Sequence, residues 1–201
     1  MPNDNPVHVL FIKASDPYGG IEIDTTSNSG KYRDLSPFVL GPIEVEDYLE
    51  GKQVSKNFEN YWQFSKVYFP QHVDFNGNPT NEWFKWRDNG FNTSRAIRYP
   101  MGRGTKPLYS YWNGYHLKYI EARKKIYAPV YAKYVTKTDS FNLLYDLYNK
   151  GETLVLRDYD AYDHIKEGLT LKQVINNPNK KCGHAFILAM ILQGELEDCL
   201  R

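Results

Sequence analysis

Residues 57–68, NFENYWQFSKVY, predict the first turns of an amphipathic helix. Asn57 suits the N-cap, because its side-chain oxygen can accept a hydrogen bond from a free N–H of the first turn. Residues three or four apart share a helix face, so Glu59, Gln63 and Lys66 line up between aromatic stripes. Burying a carboxylate, an amide and an amine is costly unless these groups are paired or used. The stretch therefore predicts one wall of a functional pocket.

Composition excludes several classes of protein. The chain has 201 residues and a formal net charge of +1, which allows one sizeable domain and gives no overall field for nucleic acid or membranes. Two cysteines, Cys182 and Cys199, form no disulfide framework and favour a reducing compartment. Without a signal pattern or a long apolar run, the sequence predicts a protein of the cytoplasm, in a bacterium or a phage-infected host, with no membrane partner.

Helical patterns outnumber strand patterns along the chain. The fold class expected is α+β, a mainly helical single domain with a small sheet over residues 35–201, with residues 1–34 as an N-terminal strand and flexible arm packed on it. The predicted helices are 58–68, 81–88, 119–136 (kinked or split at Pro129), 141–148, 169–177 and 184–192, and the predicted strands are 7–13 and 152–158. The acidic residues Glu44, Glu46, Asp47 and Glu50 predict a solvated loop.

An arginine- and glycine-rich segment, residues 95–104, is a candidate anion site. The forks of Arg98 and Arg103 match phosphate, and glycines let backbone N–H groups approach it. The alternative is a surface loop whose charges serve solubility. Tyr111 and Trp112 follow closely, and they either line a pocket or fill the core.

The second candidate constellation follows the strand at 152–158. Residues 158–164, DYDAYDH, place three carboxylates and one histidine within seven residues. Ligand and catalytic groups often lie on loops that leave a rigid strand, so a functional turn is favoured over a solvated acidic one. Cys182 and His184 are not predicted to bind metal, because a zinc site needs two further ligands that the spacing does not supply.

These residues together resemble the NADAR family. The family's first motif is a Glu-His-Tyr-Tyr-Gln-x-x-Lys helix, to which residues 59–66, ENYWQFSK, are similar, with Asn60 in place of the histidine. Residues 148–152 resemble the family's turn before a strand, and 154–156 resemble that strand. Asp160 stands where the family has the aspartate of Asp-x-x-Trp-Gly, and Asp163-His164 replace Trp-Gly.

The resemblance implies an N-glycosidase-like hydrolase. NADAR proteins act on ADP-ribosylated guanine or on ribosylamino intermediates of riboflavin synthesis, so the expected substrate is a ribosyl or ADP-ribosyl adduct of a base, nucleotide or nucleic acid. The implied roles are Schiff-base formation for Lys66, and acid–base chemistry or contact with a sugar hydroxyl for Glu59 and Asp160. No cofactor or metal is expected.

The residues expected to contact the substrate surround these three groups. They are Asn60, Trp62, Gln63, Arg98, Arg103, Tyr111, Trp112, Tyr162, Asp163 and His164. Two alternatives stay open at this point. One is a non-enzymatic nucleotide- or nucleic-acid-binding module that uses the arginines and aromatic residues. The other is a viral or accessory interaction protein that keeps the scaffold without catalysis.

Overall fold

The computed structural model describes residues 5–47 and 51–201. The strands are β1 His8–Phe11, β2 Ile21–Asp24, β3 Ile43–Asp47, β4 Gly51–Ser55, β5 Lys66–Val67, β6 Tyr109–Trp112, β7 Tyr115–Leu117 and β8 Leu154–Asp158. The α-helices are α1 Phe58–Phe64, α2 Asn81–Phe91, α3 Tyr119–Ala122, α4 Ala128–Val135, α5 Asp139–Asn149, α6 Leu171–Asn176, α7 His184–Leu192 and α8 Leu196–Leu200. A 3-10 turn spans Arg33–Leu35 and a π turn spans Arg123–Tyr127.

The chain is α+β, as predicted, and its contacts divide it into two compact units. The first unit joins Met1–Ser36 to Ala128–Arg201, and the second is Pro37–Tyr127. The predicted N-terminal strand is β1, and the segment predicted as an arm also contributes β2 to the first unit. Among the residues described, every helix is too short or too polar to cross a membrane.

The first unit is built on a parallel sheet with the order β1-β8-β2. All five residues of the central strand β8 are buried, as expected for a parallel strand flanked on both sides. Arg157, near its end, is buried but paired: one terminal nitrogen donates to Glu22 at 2.7 Å and the other to the Ala14 carbonyl at 2.7 Å. These bonds offset the cost of placing a charge inside the unit.

Helix α7 forms the core of this unit. Its sequence HAFILAMIL is buried at every position except Ile191, and it packs on β1, β8, α4, α6 and α8. A helix that is apolar all round is expected to be enclosed, so the sequence prediction for this element is confirmed.

The start of α7 is tied to the end of β8 by a buried ion pair. His184 Nδ1 lies 3.2 Å from Asp158 Oδ2, and His184 Nε2 donates to the Thr25 carbonyl at 2.8 Å. Burial acts to lower the pKa of His184, but the Asp158 carboxylate outweighs it and raises that pKa above 6.5. Burial acts to raise the pKa of Asp158, but His184 and backbone N–H groups lower it below 3.8. Each partner therefore favours the charged form of the other.

The second unit contains two small antiparallel arrangements. One is the hairpin β3–β4, and the other is the sheet β5-β6-β7. The prediction of a solvated acidic loop is corrected here, because β3 pairs with β4 from Ile43 to Asp47, and Glu44 forms an ion pair with Lys52 at 2.7 Å. Glu50 lies outside the described residues.

Helix α1 is shorter than the sequence predicts. It ends at Phe64, not at Tyr68, because the next residues enter the sheet: the Ser65 carbonyl accepts from the Tyr111 N–H at 2.8 Å, and Lys66 pairs with Ser110. Strand pairing here overrides the helical propensity of the stretch. Its first turn is capped as predicted, with the Asn57 side chain accepting from the Asn60 N–H at 2.8 Å.

The helix predicted over 119–136 is interrupted ahead of Pro129. The break is the π turn Arg123–Tyr127, between α3 and α4. A proline cannot donate to the carbonyl four residues earlier, and its ring collides with that carbonyl in a regular helix. The wider turn before Pro129 relieves this clash.

Gly90 gives a test of how closely α1 and α2 pack. A Cβ at Gly90 would overlap the ring of Phe64. Alanine favours helix by about 1 kcal/mol over glycine, yet forced overpacking costs about 1–3 kcal/mol, so we expect Gly90→Ala to destabilise the protein. Urea unfolding measures the change. Gly30→Ala is the control, because a Cβ there meets no atom within 4 Å, and a loss at Gly30 as large as at Gly90 would contradict the packing argument.

The Asp158–His184 pair predicts a pH-dependent stability. Because the pKa of His184 is raised, its contribution is complete below pH 6.5 and is lost as pH rises through the raised value. Because the pKa of Asp158 is lowered, its contribution is present above pH 3.8 and is lost as pH falls. We expect Asp158→Asn to cost about 3 kcal/mol near pH 5, and less near pH 9.

Urea titrations at the two pH values measure this difference in the free energy of unfolding. Asp198→Asn serves as the control, because Asp198 pairs with Arg201 in solvent, where an ion pair contributes little. An equal cost of Asp158→Asn at both pH values would mean that the charge of His184 does not contribute.

Candidate active site

Helix α1 carries polar side chains into the interior of the second unit. Every residue from Phe58 to Phe64 is buried, including Glu59, which is 6% exposed, and Gln63, which is 9% exposed. The Glu59 N–H donates to the Pro37 carbonyl at 2.8 Å, which fixes the first turn. Buried polar groups of this kind need partners, and their partners define the site.

The three groups predicted to share a helix face form one hydrogen-bonded chain. Gln63 Nε2 donates to Glu59 Oε1 at 2.9 Å, and Lys66 Nζ donates to Gln63 Oε1 at 2.7 Å. The Gln63 amide therefore links the amine to the carboxylate. Lys66 takes part although it lies in β5, because the helix ends only two residues earlier.

The amine of Lys66 lies in an aromatic setting. Its Nζ is 4.6 Å from the centre of the Trp62 ring, and Trp62 packs edge-on against Tyr127 at 5.0 Å. The Lys66 carbonyl accepts from Trp83 Nε1 at 2.9 Å, which holds the backbone in place. Trp62 thus contacts the lysine through its ring face and also packs against Tyr127.

The environment makes Lys66 less basic than an ordinary lysine. Burial lowers its pKa from 10.5 to about 8; the nearby Glu59 carboxylate opposes this change, and the Arg98 guanidinium adds to it. An amine with a pKa near neutrality, held on a rigid element and linked to a carboxylate, is suited to nucleophilic chemistry.

Asn60, predicted to contact substrate, uses its side chain on the protein backbone instead. It is fully buried, its amide nitrogen donates to the Gly90 carbonyl in α2 and to the Thr93 and Arg95 carbonyls after it, and its oxygen accepts from Ile97 N–H at 2.8 Å. Backbone groups thus take the protons of this amide and one lone pair of its oxygen.

The arginine and glycine segment, residues 95–104, contains no buried residue. Arg103 is exposed between Gly102 and Gly104, both of which have φ of +91°. Arg98 is half-buried, with its guanidinium 5.5 Å from the Tyr99 ring centre. Of the arginines in this segment, Arg98 is the one whose charge helps to lower the pKa of Lys66.

The two aromatic residues that follow have different surroundings. Tyr111 packs edge-on against Trp83 at 5.4 Å and Phe84 at 5.8 Å. The Trp112 Nε1 atom is buried and has no hydrogen-bond partner in the described part of the chain. An indole N–H can only donate, so among the described residues this is an unsatisfied buried donor.

The acidic turn lies in the first unit, and its three carboxylates have three different partners. Asp158 pairs with His184, as described above. Asp160 accepts from the exposed Lys181 at 2.7 Å, and Asp163 accepts from Tyr18 Oη at 2.8 Å. The predicted catalytic trio is therefore divided between units: Asp160 belongs to the first, and Glu59 and Lys66 to the second. Their meeting in one cleft stays a prediction.

The remaining predicted residues of the turn pack around α7. Tyr162 lies 5.0 Å from the Phe186 ring and beneath Lys180 Nζ at 4.3 Å. His164 is buried edge-on against Phe186 at 5.6 Å. Burial lowers the pKa of His164, which the neighbouring Asp163 opposes, so this imidazole is neutral at pH 7.

Sequence reasoning missed two residues beside this turn. His8 is buried, and it stacks on Tyr18 with ring centres 3.5 Å apart. Tyr18 in turn binds Asp163, which lies 145 residues away in the sequence. No local pattern signals such a contact. In the described residues, no three His, Cys, Asp or Glu side chains cluster in a way that could hold a metal ion.

Comparison with known proteins gives no relative from which a function could be inferred. No protein-family model, curated protein or solved structure matches the chain.

Proposed function

We propose that the chain is an N-glycosidase-like hydrolase that cleaves the N-glycosidic bond of a ribosyl or ADP-ribosyl adduct, with Lys66 as the nucleophile. The observation that supports this most is the state of the Lys66 amine, whose pKa burial lowers to about 8. At pH 7 roughly a tenth of such amines are neutral, against roughly 0.03% for an ordinary lysine, and only the neutral amine attacks carbon.

The proposed reaction proceeds through a Schiff base. The lone pair of Lys66 Nζ forms a bond to the anomeric carbon while the bond from that carbon to the base nitrogen breaks, and the base takes up a proton. The sugar ring then opens, its oxygen receives the proton lost by Nζ, and the nitrogen–carbon bond becomes a protonated imine. Water adds to the imine carbon and releases the free sugar and the amine, so the net reaction is hydrolysis.

Glu59 is the group that stabilises positive charge in this scheme. Its carboxylate is linked to Nζ through the Gln63 amide, with hydrogen bonds of 2.9 and 2.7 Å. Cleavage of a glycosidic bond develops positive charge on the sugar, and the imine that follows is also cationic. A fixed carboxylate in a buried setting favours both states without needing to reorient.

The other groups have roles that rest on the resemblance and on charge. Arg98, whose charge helps to lower the pKa of Lys66, is proposed to bind a phosphate of the sugar nucleotide. Asp160 is proposed to supply the proton to the leaving base. Asp160→Asn tests that role separately, since its turn and the lysine belong to different units.

Reductive trapping tests the nucleophile. The protein is incubated with ADP-ribose and cyanoborohydride, and adducts are located by peptide mass spectrometry. We expect an adduct at Lys66 well in excess of that at Lys85, an exposed lysine of α2 that is the matched control. Lys66→Ala should abolish the dominant adduct and lower hydrolysis of ADP-ribosylated guanine by about 10³-fold or more.

Equal labelling of Lys66 and Lys85, or full hydrolysis by Lys66→Ala, would overturn the proposal. Binding of ADP-ribose that weakens with salt, with no hydrolysis and no loss in Lys66→Ala, would instead favour the non-enzymatic binding module.

The pH dependence of trapping gives a second prediction. The trapping rate should rise with pH and level off above about pH 8, as Lys66 loses its proton. Since Glu59 raises the pKa of Lys66, Glu59→Gln should move the midpoint to lower pH. Glu82→Gln, on the exposed first turn of α2, is the control and should leave the midpoint in place. An unmoved midpoint in Glu59→Gln would show that the charge of Glu59 does not affect the pKa of Lys66.

A further inference from the structure

The connection between β5 and α2, residues 68–80, turns around one buried histidine, His72. The His72 N–H donates to the Tyr68 carbonyl at 3.0 Å, and the His72 carbonyl accepts from the Thr80 N–H at 3.0 Å. Thr80 is the N-cap of α2, and its side chain accepts from the Trp83 N–H. The backbone of His72 therefore ties the two ends of the connection together.

The His72 ring packs among aromatic side chains. Its centre lies 4.5 Å from the Trp86 ring of α2 and 5.8 Å from the Tyr68 ring, and only 5% of the residue is exposed. The Trp86 ring in turn lies 4.5 Å from the ring of Phe64, the last residue of α1. The imidazole thus packs the connection against α2, on a tryptophan that also contacts α1.

This position suits a neutral imidazole and disfavours a charged one. His72 Nδ1 is buried and has no hydrogen-bond partner within the described part of the chain. A neutral imidazole can leave Nδ1 without a proton, whereas imidazolium carries an N–H on both ring nitrogens. Protonation would therefore bury a donor that has no acceptor, and such a donor is most costly when it is charged.

The surroundings of the ring offer no compensating charge among the described residues. Trp86 is uncharged, and burial keeps Tyr68 neutral by raising its pKa to about 12. Asp74, on the connection itself, directs its carboxylate to backbone N–H groups of its own turn, and Lys85, next to Trp86 on α2, is exposed. The pKa of His72 lies below 6.5, and burial is the cause.

We propose that His72 is an acid-sensitive latch: protonation of its imidazole expels the ring from its place beside Trp86 and releases the connection from α2. The closed form is fully stabilised above pH 6.5 and loses that stabilisation as pH falls through the lowered pKa of His72. Phe69 and Phe75, which are 69% and 98% exposed, lie on the connection and move with it. The latch goes beyond the proposed function and does not depend on it.

Hydrogen exchange measures the opening, followed by mass spectrometry on peptides from residues 68–80 at pH 7.5 and pH 5.5 and corrected for the intrinsic exchange rate at each pH. We expect opening to become about five- to tenfold more frequent at pH 5.5, because a released histidine titrates near pH 6.5 and the enclosed one at lower pH. His72→Phe keeps an aromatic ring that cannot be protonated, so its opening should be the same at both pH values.

His116→Phe is the matched control. His116 is exposed and stacks on Tyr109 with ring centres 4.0 Å apart, and Tyr109 Oη donates to the Gly77 carbonyl of the connection at 2.6 Å. This variant therefore removes a histidine near the connection while His72 stays enclosed, and the acid-induced opening should remain as in the parent protein. NMR titration of the imidazoles in the parent protein adds a readout that needs no variant: His72 should titrate below pH 6.5.

Acid-induced opening that His72→Phe loses and His116→Phe keeps supports the latch. The same opening in His72→Phe as in the parent protein would overturn it, and so would an equal rise of exchange in β6 and β7, which would show acid unfolding of the second unit as a whole. If His72→Phe does not fold, the parent protein still decides: a His72 that titrates at pH 6.5 or above, or that titrates without opening of the connection, overturns the proposal.

Discussion

The burial of polar side chains along α1 is the constraint on which the second unit depends. Glu59, Asn60 and Gln63 are all less than 10% exposed, and each would destabilise the fold by several kcal/mol without partners. These side chains have hydrogen-bond partners on two sides of the helix. Asn60 binds backbone on one side, and Gln63 joins Glu59 to Lys66 on the other. Packing and candidate chemistry therefore share the same seven-residue helix.

In the first unit, buried polar side chains are stabilised by ion pairs. The carboxyl end of the central strand β8 carries Arg157 and Asp158 into the interior, and each meets a partner from a distant part of the sequence. The Asp158–His184 pair fixes the start of α7, the most apolar helix, against the sheet. Gly183 is required between them, because a Cβ there would overlap the Asp158 carboxylate. The contact with His184 and the close approach of Gly183 explain why Asp158 stabilises the fold.

What the sequence could predict follows from the range of each interaction. Helix α7 and strand β8 were predictable from apolar content, and the Glu59–Gln63–Lys66 contacts from spacings of four and three residues. The hairpin β6–β7 was missed, although its turn carries the Asn113-Gly114 signal, with φ of 50° and 78°. The partners of Asp158, Asp160 and Asp163 could not be predicted, because each is at least 21 residues away. Lys66 lies in a strand through sheet pairing, which no helical pattern reveals.

The π turn at Arg123–Tyr127 has a consequence for how the chain tolerates length changes. A π turn holds one residue more than a regular turn, and in a regular helix each residue advances the side chain by about 100°. Tyr127, at its end, packs on Phe58 at 5.2 Å and on Trp62 at 5.0 Å. The wide turn takes up this extra residue, so deleting one residue within it would restore a regular helix and leave Tyr127 facing both rings. The chain can therefore lose one residue here and keep the aromatic support under Lys66.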